Sequence, residues 1–383
     1  MTNGLKVYYL PLLTFYNGVT LPTMLASLPL IRQIFIRDKV DIVHGHSAFS
    51  TLAHEAMAIG RLMGLKAVFT DHSLFGFADS SAILTNKLLQ ISLAGCNHCI
   101  CVSKVGKENT ILRAGIDENK VSVIRNAIDT TLFKPDLSKW DQNRKIDNKI
   151  IIVVMCRLVY RKGVDLLPEI IRRICEKYKN VHFLIGGEGP KRLILEEVRE
   201  KHFLHERVVM LGKLNQCEVR DTLVKGDIFL NTSLTEAFCM AIVEAAACGL
   251  QVVSTNVGGI REVLSPEMIF LAEPSVDDIF ANLEKAIKRH ESWSKKDVEK
   301  CHSYVMEQYK WDDVAIQTVN EVYNKVRNES PLPIGQLLQR YGKCGKVGGP
   351  LFVLLFTLCH LFLMFLDWYI PIELIDIAPP YNL

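Results

Sequence analysis

The chain has 383 residues, with 45 Lys+Arg against 42 Asp+Glu for a net charge of +3, and 49% of its residues are hydrophobic. That composition excludes a disordered or fibrous chain and carries no nucleic-acid footprint, and the length exceeds what one core holds, so two domains are expected. Eleven cysteines, an odd count, are scattered from Cys96 to Cys359, which reads as reduced, mostly buried thiols rather than a disulfide framework. Cys96, Cys99 and Cys101 have no second pair at ligand spacing, so no metal is expected. The mean hydropathy of +0.16 is high, and the excess lies near the C-terminus.

In chain order, Leu5–Leu10 reads as a first strand, because Pro11 interrupts the early apolar run and argues against a signal peptide. Further strands are predicted at Asp41–Val43, Ala67–Thr70, Cys99–Val102, Val121–Ile124, Ile150–Met155, Val181–Ile185, Val208–Leu211, Ile228–Leu230, Gln251–Ser254 and Ile269–Leu271. Helix-period segments lie between them, among them Leu52–Met63, Val164–Lys177, Lys191–Lys201 and Ala237–Cys248. Strands apolar on both faces, alternating with helices, predict an α/β protein with doubly wound parallel sheets. The polar stretch Lys134–Lys149 reads as a linker, which divides the chain into Rossmann-like domains at 1–145 and 146–310. A cross-over helix and basic linker are expected over 311–349. Leu351–Leu366 is sixteen residues without a formal charge, preceded by Arg340, Lys343 and Lys346 and followed by Asp367, Glu373 and Asp376. With Trp368, Tyr369 and Ile370 it approaches the roughly 17–25 residues of a membrane helix, so a transmembrane helix is expected at 350–370, with its basic flank cytosolic and a short tail (371–383) across the membrane.

Parallel sheets bind ligands beyond the carboxyl ends of their strands. The groups in those positions are His44, His46, Asp71-His72-Ser73, Arg157 through Gly163, Gly186-Gly187-Glu188-Gly189-Pro190, and Asn231 through Glu236. Arg157 and Lys162, five apart on one loop, suit a diphosphate. The glycine loop fits close approach by a ligand or merely a tight turn. Thr235-Glu236-Ala237-Phe238 is predicted to open a helix whose free N–H groups attract anions. Glu244 would then lie about 12 Å farther along the same side, flanked by Ile242-Val243 and Ala245-Ala246-Ala247, which argues against a plain surface role. His72 faces the same edge as His44 and His46, where a structural histidine is the ordinary reading. No Asp-x-Asp occurs, so the cations would neutralise a diphosphate without a metal.

Arg157-x4-Lys162, Gly187-Glu188-Gly189 and Glu236-x7-Glu244 together resemble family 4 of the retaining GT-B glycosyltransferases, over nearly all of residues 1–330. The longer strings Thr70–Asp79, Arg157–Gly163 and Leu230–Met240 resemble the PIG-A family, catalytic subunits that start glycosylphosphatidylinositol (GPI) anchors. The resemblance implies a GT-B fold, two Rossmann-like domains flanking a cleft, with transfer of N-acetylglucosamine from UDP-GlcNAc to phosphatidylinositol. It implies a single-pass protein of the endoplasmic reticulum membrane, with cytosolic catalytic domains and partner membrane subunits. Arg157 and Lys162 would hold the diphosphate, Glu244 the ribose hydroxyls, and Gly187, Glu188, Phe238 and Cys239 would complete the donor site. Glu236 and His72 would face the reacting sugar, and Leu74, Phe75 and Phe77 the acceptor. No cofactor and no metal is implied. The family opens with a Gly-Gly-Val-Glu loop that has no counterpart in these residues, so a first unit is expected to be missing. That leaves room for a non-catalytic form that binds UDP and scaffolds the complex. A sugar-nucleotide epimerase is a third reading, disfavoured by the apolar C-terminal segment.

Overall fold

The structure, a computed structural model, describes residues 5–16, 19–20, 23–76, 80–137, 148–330 and 332–379, and it forms two compact units. The second unit comprises residues 103–105 and 125–316, and the first comprises the rest. The expected boundaries therefore shift. Ala127, Ile128 and Phe133 are buried, and the Ile128 N–H donates to the Tyr309 carbonyl, so the stretch before the polar linker already belongs to the second unit. The chain returns to the first unit at Gln317.

The first unit opens with an antiparallel pair, β1 (Thr14–Tyr16) and β2 (Val19–Thr20). The predicted strand at Leu5–Leu10 does not form. Leu5 makes only an isolated bridge, Lys6–Leu13 has no regular structure, and Leu5, Tyr9 and Leu13 are exposed, so the run lacks the burial that a strand covered on both faces needs. Four parallel strands follow, β3 (Ile42–His46), β4 (Lys66–Asp71), β5 (His98–Cys101) and β6 (Val121–Val123), hydrogen-bonded in that order. Helices α1 (Leu28–Arg37), α2 (Thr51–Leu62), α3 (Ser80–Ala94) and α4 (Lys104–Ala114) alternate with them. Every residue of β4 and β5 is buried, as expected of strands covered on both faces.

In the second unit six parallel strands form one sheet: β7 (Ile150–Met155), β8 (Val181–Gly186), β9 (Val208–Gly212), β10 (Ile228–Asn231), β11 (Gln251–Thr255) and β12 (Ile269–Ala272). Their order is β12-β11-β10-β7-β8-β9, so the winding reverses between β7 and β10. Ile152, Phe183, Leu230 and Val253 are fully buried at the centre of its core. Helix α5 (Leu167–Lys177) covers them with Leu167, Ile170, Ile171 and Ile174, an i, i+3, i+4, i+7 stripe. The predicted helix over Val164–Lys177 is split: Val164–Leu166 is a 3-10 turn, and the α-helix starts with Pro168 in its first turn, where proline fits. The remaining helices of this unit are α6 (Arg192–Lys201), α7 (Gln216–Leu223), α8 (Met240–Ala247), α9 (Val276–His290) and α10 (Lys295–Gln308).

From Trp311 the chain runs through α11 (Trp311–Gln317), a π-helical turn (Thr318–Tyr323), α12 (Asn324–Arg327) and α13 (Ile334–Gly342) to the long helix α14 (Gly348–Tyr369). With 22 residues and a mean hydropathy of 2.2 over its most apolar 18, α14 is long and apolar enough to cross a membrane. It is not an isolated rod. Phe356, Cys359, Leu363 and Leu366 form a buried stripe in one cluster with Leu28 and Ile31 of α1, Ile59 of α2 and Tyr341 of α13. Leu351, Leu354, Leu358, Leu361 and Phe365 form the exposed face. The sequence places Asp367 simply as a flanking charge; instead it accepts both Nε (3.0 Å) and Nη2 (2.7 Å) of the buried Arg32, which also reaches the Ile370 carbonyl.

Candidate functional site

In the second unit the site forms where the winding reverses, between the loops after β7 and β10. Gly163 has φ +63°, and a Cβ there would stand 1.8 Å from the Thr232 carbonyl oxygen, so only glycine lets these loops touch. The Leu234 N–H donates to the Arg161 carbonyl (2.9 Å), and the Thr232 hydroxyl to the Lys162 carbonyl (2.9 Å). This clamp delivers the Lys162 ammonium to the Glu236 carboxylate in a short contact, and the Ser233 hydroxyl bonds the same oxygen (2.8 Å). Burial opposes the charge on Lys162, yet Glu236 more than compensates and holds its pKa above the ordinary value. Arg157 is exposed on the same loop as Lys162, and its guanidinium makes no hydrogen bond or ion pair among the described residues.

The helix after β10 corrects the expectation. It begins at Met240, not at Glu236, and its N-cap Cys239 is left-handed with φ +65°. A helix starting at Glu236 would need the Glu236 carbonyl for the Met240 N–H, but the Gly259 N–H takes it (3.0 Å). The orphan N–H groups of the helix therefore lie near Met240. Glu236 precedes the helix, and Glu244 sits inside it, so the two carboxylates do not share one helix side. Glu244 is half-buried with no side-chain hydrogen bond among the described residues, and burial raises its pKa.

Other predicted donor residues are placed differently. Phe238 and Cys239 are buried, Phe238 edge-on to Tyr309 (5.7 Å), so only their backbone can meet a ligand. Burial pushes the Cys239 thiol up to about 12 and Cys156 to about 11, so neither is a thiolate nucleophile. Gly187 is required by its neighbour, since a Cβ there would lie 1.8 Å from the Cys156 carbonyl oxygen. Glu188, in the loop after β8, turns to Arg192 at the start of α6, not to Arg157 or Lys162. Of these residues Lys162 and Glu236 meet, whereas Glu188 is turned to Arg192.

The edge of the first unit's sheet is built on imidazoles. His44 and His46 lie two apart on β3 and so project to one face. Parallel pairing sets His46 beside Thr70 of β4, and His72 follows that strand. The rings stack in series: His44 on His46 at 4.4 Å and His46 on His72 at 5.5 Å. His46 Nδ1 and His72 Nε2 are 3.1 Å apart and share one hydrogen bond. His44 is fixed at both nitrogens, Nδ1 to the Tyr323 hydroxyl (2.6 Å) and Nε2 to the Thr70 hydroxyl (2.7 Å). Burial, then the neighbouring imidazoles, pushes His44 down to about 3, and partial burial lowers His46 and His72 as well. The array is therefore neutral near pH 7. Among the described residues no three His, Cys, Asp or Glu groups are arranged to hold a metal.

Beneath His72, Asp71 accepts from the Ser73 N–H (2.9 Å), the Thr110 hydroxyl (3.0 Å) and Arg113 (3.4 Å). Asn109 bonds both backbone groups of Phe75, and Arg113 lies over its ring at 4.6 Å. Helix α4 thus holds the loop carrying His72, Leu74 and Phe75; Phe77 lies outside the described residues. Phe75 also meets the half-exposed Phe49 edge-on (4.9 Å). Sequence reasoning misses Asn109, Thr110, Arg113 and Tyr323, which show no local motif. The His-x-His spacing on a strand was a usable signal for pairing His44 with His46.

Residues 1–79 match the family PIGA (GPI anchor biosynthesis), and residues 138–306 match glycosyl transferases group 1. The chain is 55% identical over 379 residues to a human phosphatidylinositol N-acetylglucosaminyltransferase subunit, covering 99% of this chain and 77% of that one. It is 49% identical to the Arabidopsis thaliana protein of the same name, covering 99% and 83%. Among solved structures, Anabaena HepE in complex with UDP superposes with a TM-score of 0.64 at 18% identity, covering 78% of this chain and 82% of that one. A Thermosynechococcus elongatus sucrose-phosphate synthase gives 0.65 at 17%, covering 80% of each. Those two share the fold, with parallel α/β sheets of GT-B type. The chain belongs to the PIGA family of phosphatidylinositol N-acetylglucosaminyltransferase subunits and is a GT-B glycosyltransferase.

Proposed function

We propose that the chain transfers N-acetylglucosamine from UDP-GlcNAc to phosphatidylinositol with retention, as the catalytic subunit of a membrane complex of the endoplasmic reticulum. The observation that carries this reading is the Lys162–Glu236–Ser233 network at the winding reversal of the second sheet. The donor diphosphate competes with Glu236 for Lys162 and takes the exposed Arg157 as a second cation. Glu236, released, turns to the hydroxyls of the donor sugar. Glu244, half-buried and without a side-chain partner among the described residues, accepts from the ribose hydroxyls. The backbone N–H groups at Met240 add the partial positive charge of a helix start.

In the chemical step the bond from the anomeric carbon to the phosphate oxygen breaks. A bond to an inositol oxygen forms on the same face, and the inositol proton passes to the departing phosphate oxygen. Two fixed cations stabilise the charge that develops there, so no metal is required. His72, neutral near pH 7, hydrogen-bonds the donor sugar, and Leu74 and Phe75 border the acceptor. The apolar helix α14 enters the bilayer, and other membrane subunits complete the complex.

The test is transfer itself. The chain is expressed in cells lacking their own catalytic subunit, and membranes are given radiolabelled UDP-GlcNAc. Label in chloroform-soluble GlcNAc-phosphatidylinositol, lost in Glu244→Ala, is the expected result. Absence of lipid label with intact UDP binding would overturn the catalytic reading in favour of a UDP-binding scaffold.

A further inference from the structure

A second cationic feature lies in the first unit and shares no residue with those assigned to transfer. A cavity of about 310 Å³ is lined by Lys120, which precedes β6, and by Arg340 and Lys343, at the end of α13. None of these three cations makes an ion pair among the described residues. The cavity carries one carboxylate, Asp117, whose oxygen is engaged by the Asn119 N–H (3.0 Å). Three cations against one carboxylate repel one another unless an anion joins them. Leu93 and Ile116 contribute apolar lining.

The position of the cavity says which anion. Tyr341, between Arg340 and Lys343 in the sequence, stacks face to face on Phe356 of α14 at 4.0 Å and 6°. The basic end of α13 is thereby held beside the first turns of the long apolar helix, whose Leu351 and Leu354 are exposed. If that helix enters a bilayer, the cations stand at the depth of lipid headgroups, where clustered Lys and Arg bind anionic lipid. We propose that this cavity binds the phosphate of an anionic phospholipid, with the acyl chains running along the exposed face of α14. The proposal rests on the membrane reading above and is independent of catalysis.

The test uses the full chain in detergent micelles, titrated with dioctanoyl phosphatidylglycerol, dioctanoyl phosphatidylcholine and inorganic phosphate, with UDP titrated in parallel. Phosphatidylglycerol should bind and phosphatidylcholine should not. At roughly 1 kcal/mol per basic group, Arg340→Gln with Lys343→Gln should weaken phosphatidylglycerol on the order of thirtyfold. Lys120→Gln, on a different element, should weaken it about fivefold and decides the matter should the double variant not fold. Lys346→Gln, an exposed lysine outside the cavity, should leave binding unchanged. Unaltered UDP binding alongside lost phospholipid supports the site and keeps it separate from the donor reading. Equal phosphatidylglycerol binding by wild type and Lys120→Gln, an equal effect of Lys346→Gln, or inorganic phosphate binding as tightly as the lipid would overturn it.

Discussion

Both units place an ion pair near the carboxyl ends of their strands, but they use it differently. In the first unit Arg113 and Asp71 are sealed, with side chains 0% and 1% exposed, and the groups presented at the edge are the neutral imidazoles of His44, His46 and His72. In the second unit the pair itself stands at the edge: Lys162 is 23% and Glu236 13% exposed, with the unpaired Arg157 on the same loop. A sealed pair serves to hold a loop, because nothing can reach it. A half-open pair can exchange one partner for an incoming anion. The first unit thus offers hydrogen bonds without charge, and the second offers charge that a diphosphate can claim.

The strongest way to break this contrast is to open the sealed pair. Asp71→Ala strands Arg113 without its carboxylate and should cost about 3–5 kcal/mol of stability, read as increased protease susceptibility of the first unit. If unfolding is unchanged, the pair is not structural. Next comes the half-open pair. Lys162→Ala should lower kcat/KM about 10²–10³-fold and weaken UDP binding while leaving protease resistance nearly intact. A normal UDP affinity would mean the lysine serves only Glu236.

The two edges also titrate on opposite limbs. His44 is held near 3 against an ordinary 6.5, so below pH 6.5 the unfolded chain binds a proton that the folded chain refuses. Stability contributed by this group is complete above pH 6.5 and falls as pH drops, by about 2 kcal/mol at pH 5. His44→Gln should flatten that acid limb in unfolding measured at pH 7.5, 6 and 5. Lys162, with a raised pKa, contributes stability present below its ordinary value and lost as pH climbs through the folded one, so its variants should alter only the alkaline limb. The smallest effect is expected of Tyr323→Phe, which removes one hydrogen bond to His44. It should cost about 1 kcal/mol and move the acid limb toward higher pH, whereas an unmoved limb would show that Thr70 alone positions the ring.

Much of this architecture was legible in the residues. The strands from Ile42 onward stand close to where apolar runs such as Ile150–Met155 place them, whereas their order, the antiparallel pair at Thr14–Thr20 and the absence of a strand at Leu5–Leu10 needed the structure. Arg157, Lys162 and Glu236 could be assigned to one edge, because each follows a strand. The Lys162–Glu236 bond could not, since its partners are 74 residues apart and their meeting depends on Gly163 and Thr232 touching. The helix start at Met240 was hidden for a related reason. Nothing local to Thr235–Phe238 shows that Gly259 will take the carbonyl a helix needs. Tyr323 reaches His44 across 279 positions, which no window of sequence contains.

The bond from Arg32 to Asp367 spans 335 residues. Tyr323 to His44, and Glu329 to Lys66 and Asn97, close the same unit across hundreds more. The second unit, by contrast, forms its whole sheet from residues 150–272. A ribosome delivers sequence in order, and domains fold as they emerge. The second unit can therefore complete its sheet while the first still waits for residues 317–370. For that interval α1 and α2 expose the apolar faces that α14 later covers, and a holding chaperone or an early membrane contact has a defined target: the surface of Leu28, Ile31 and Ile59.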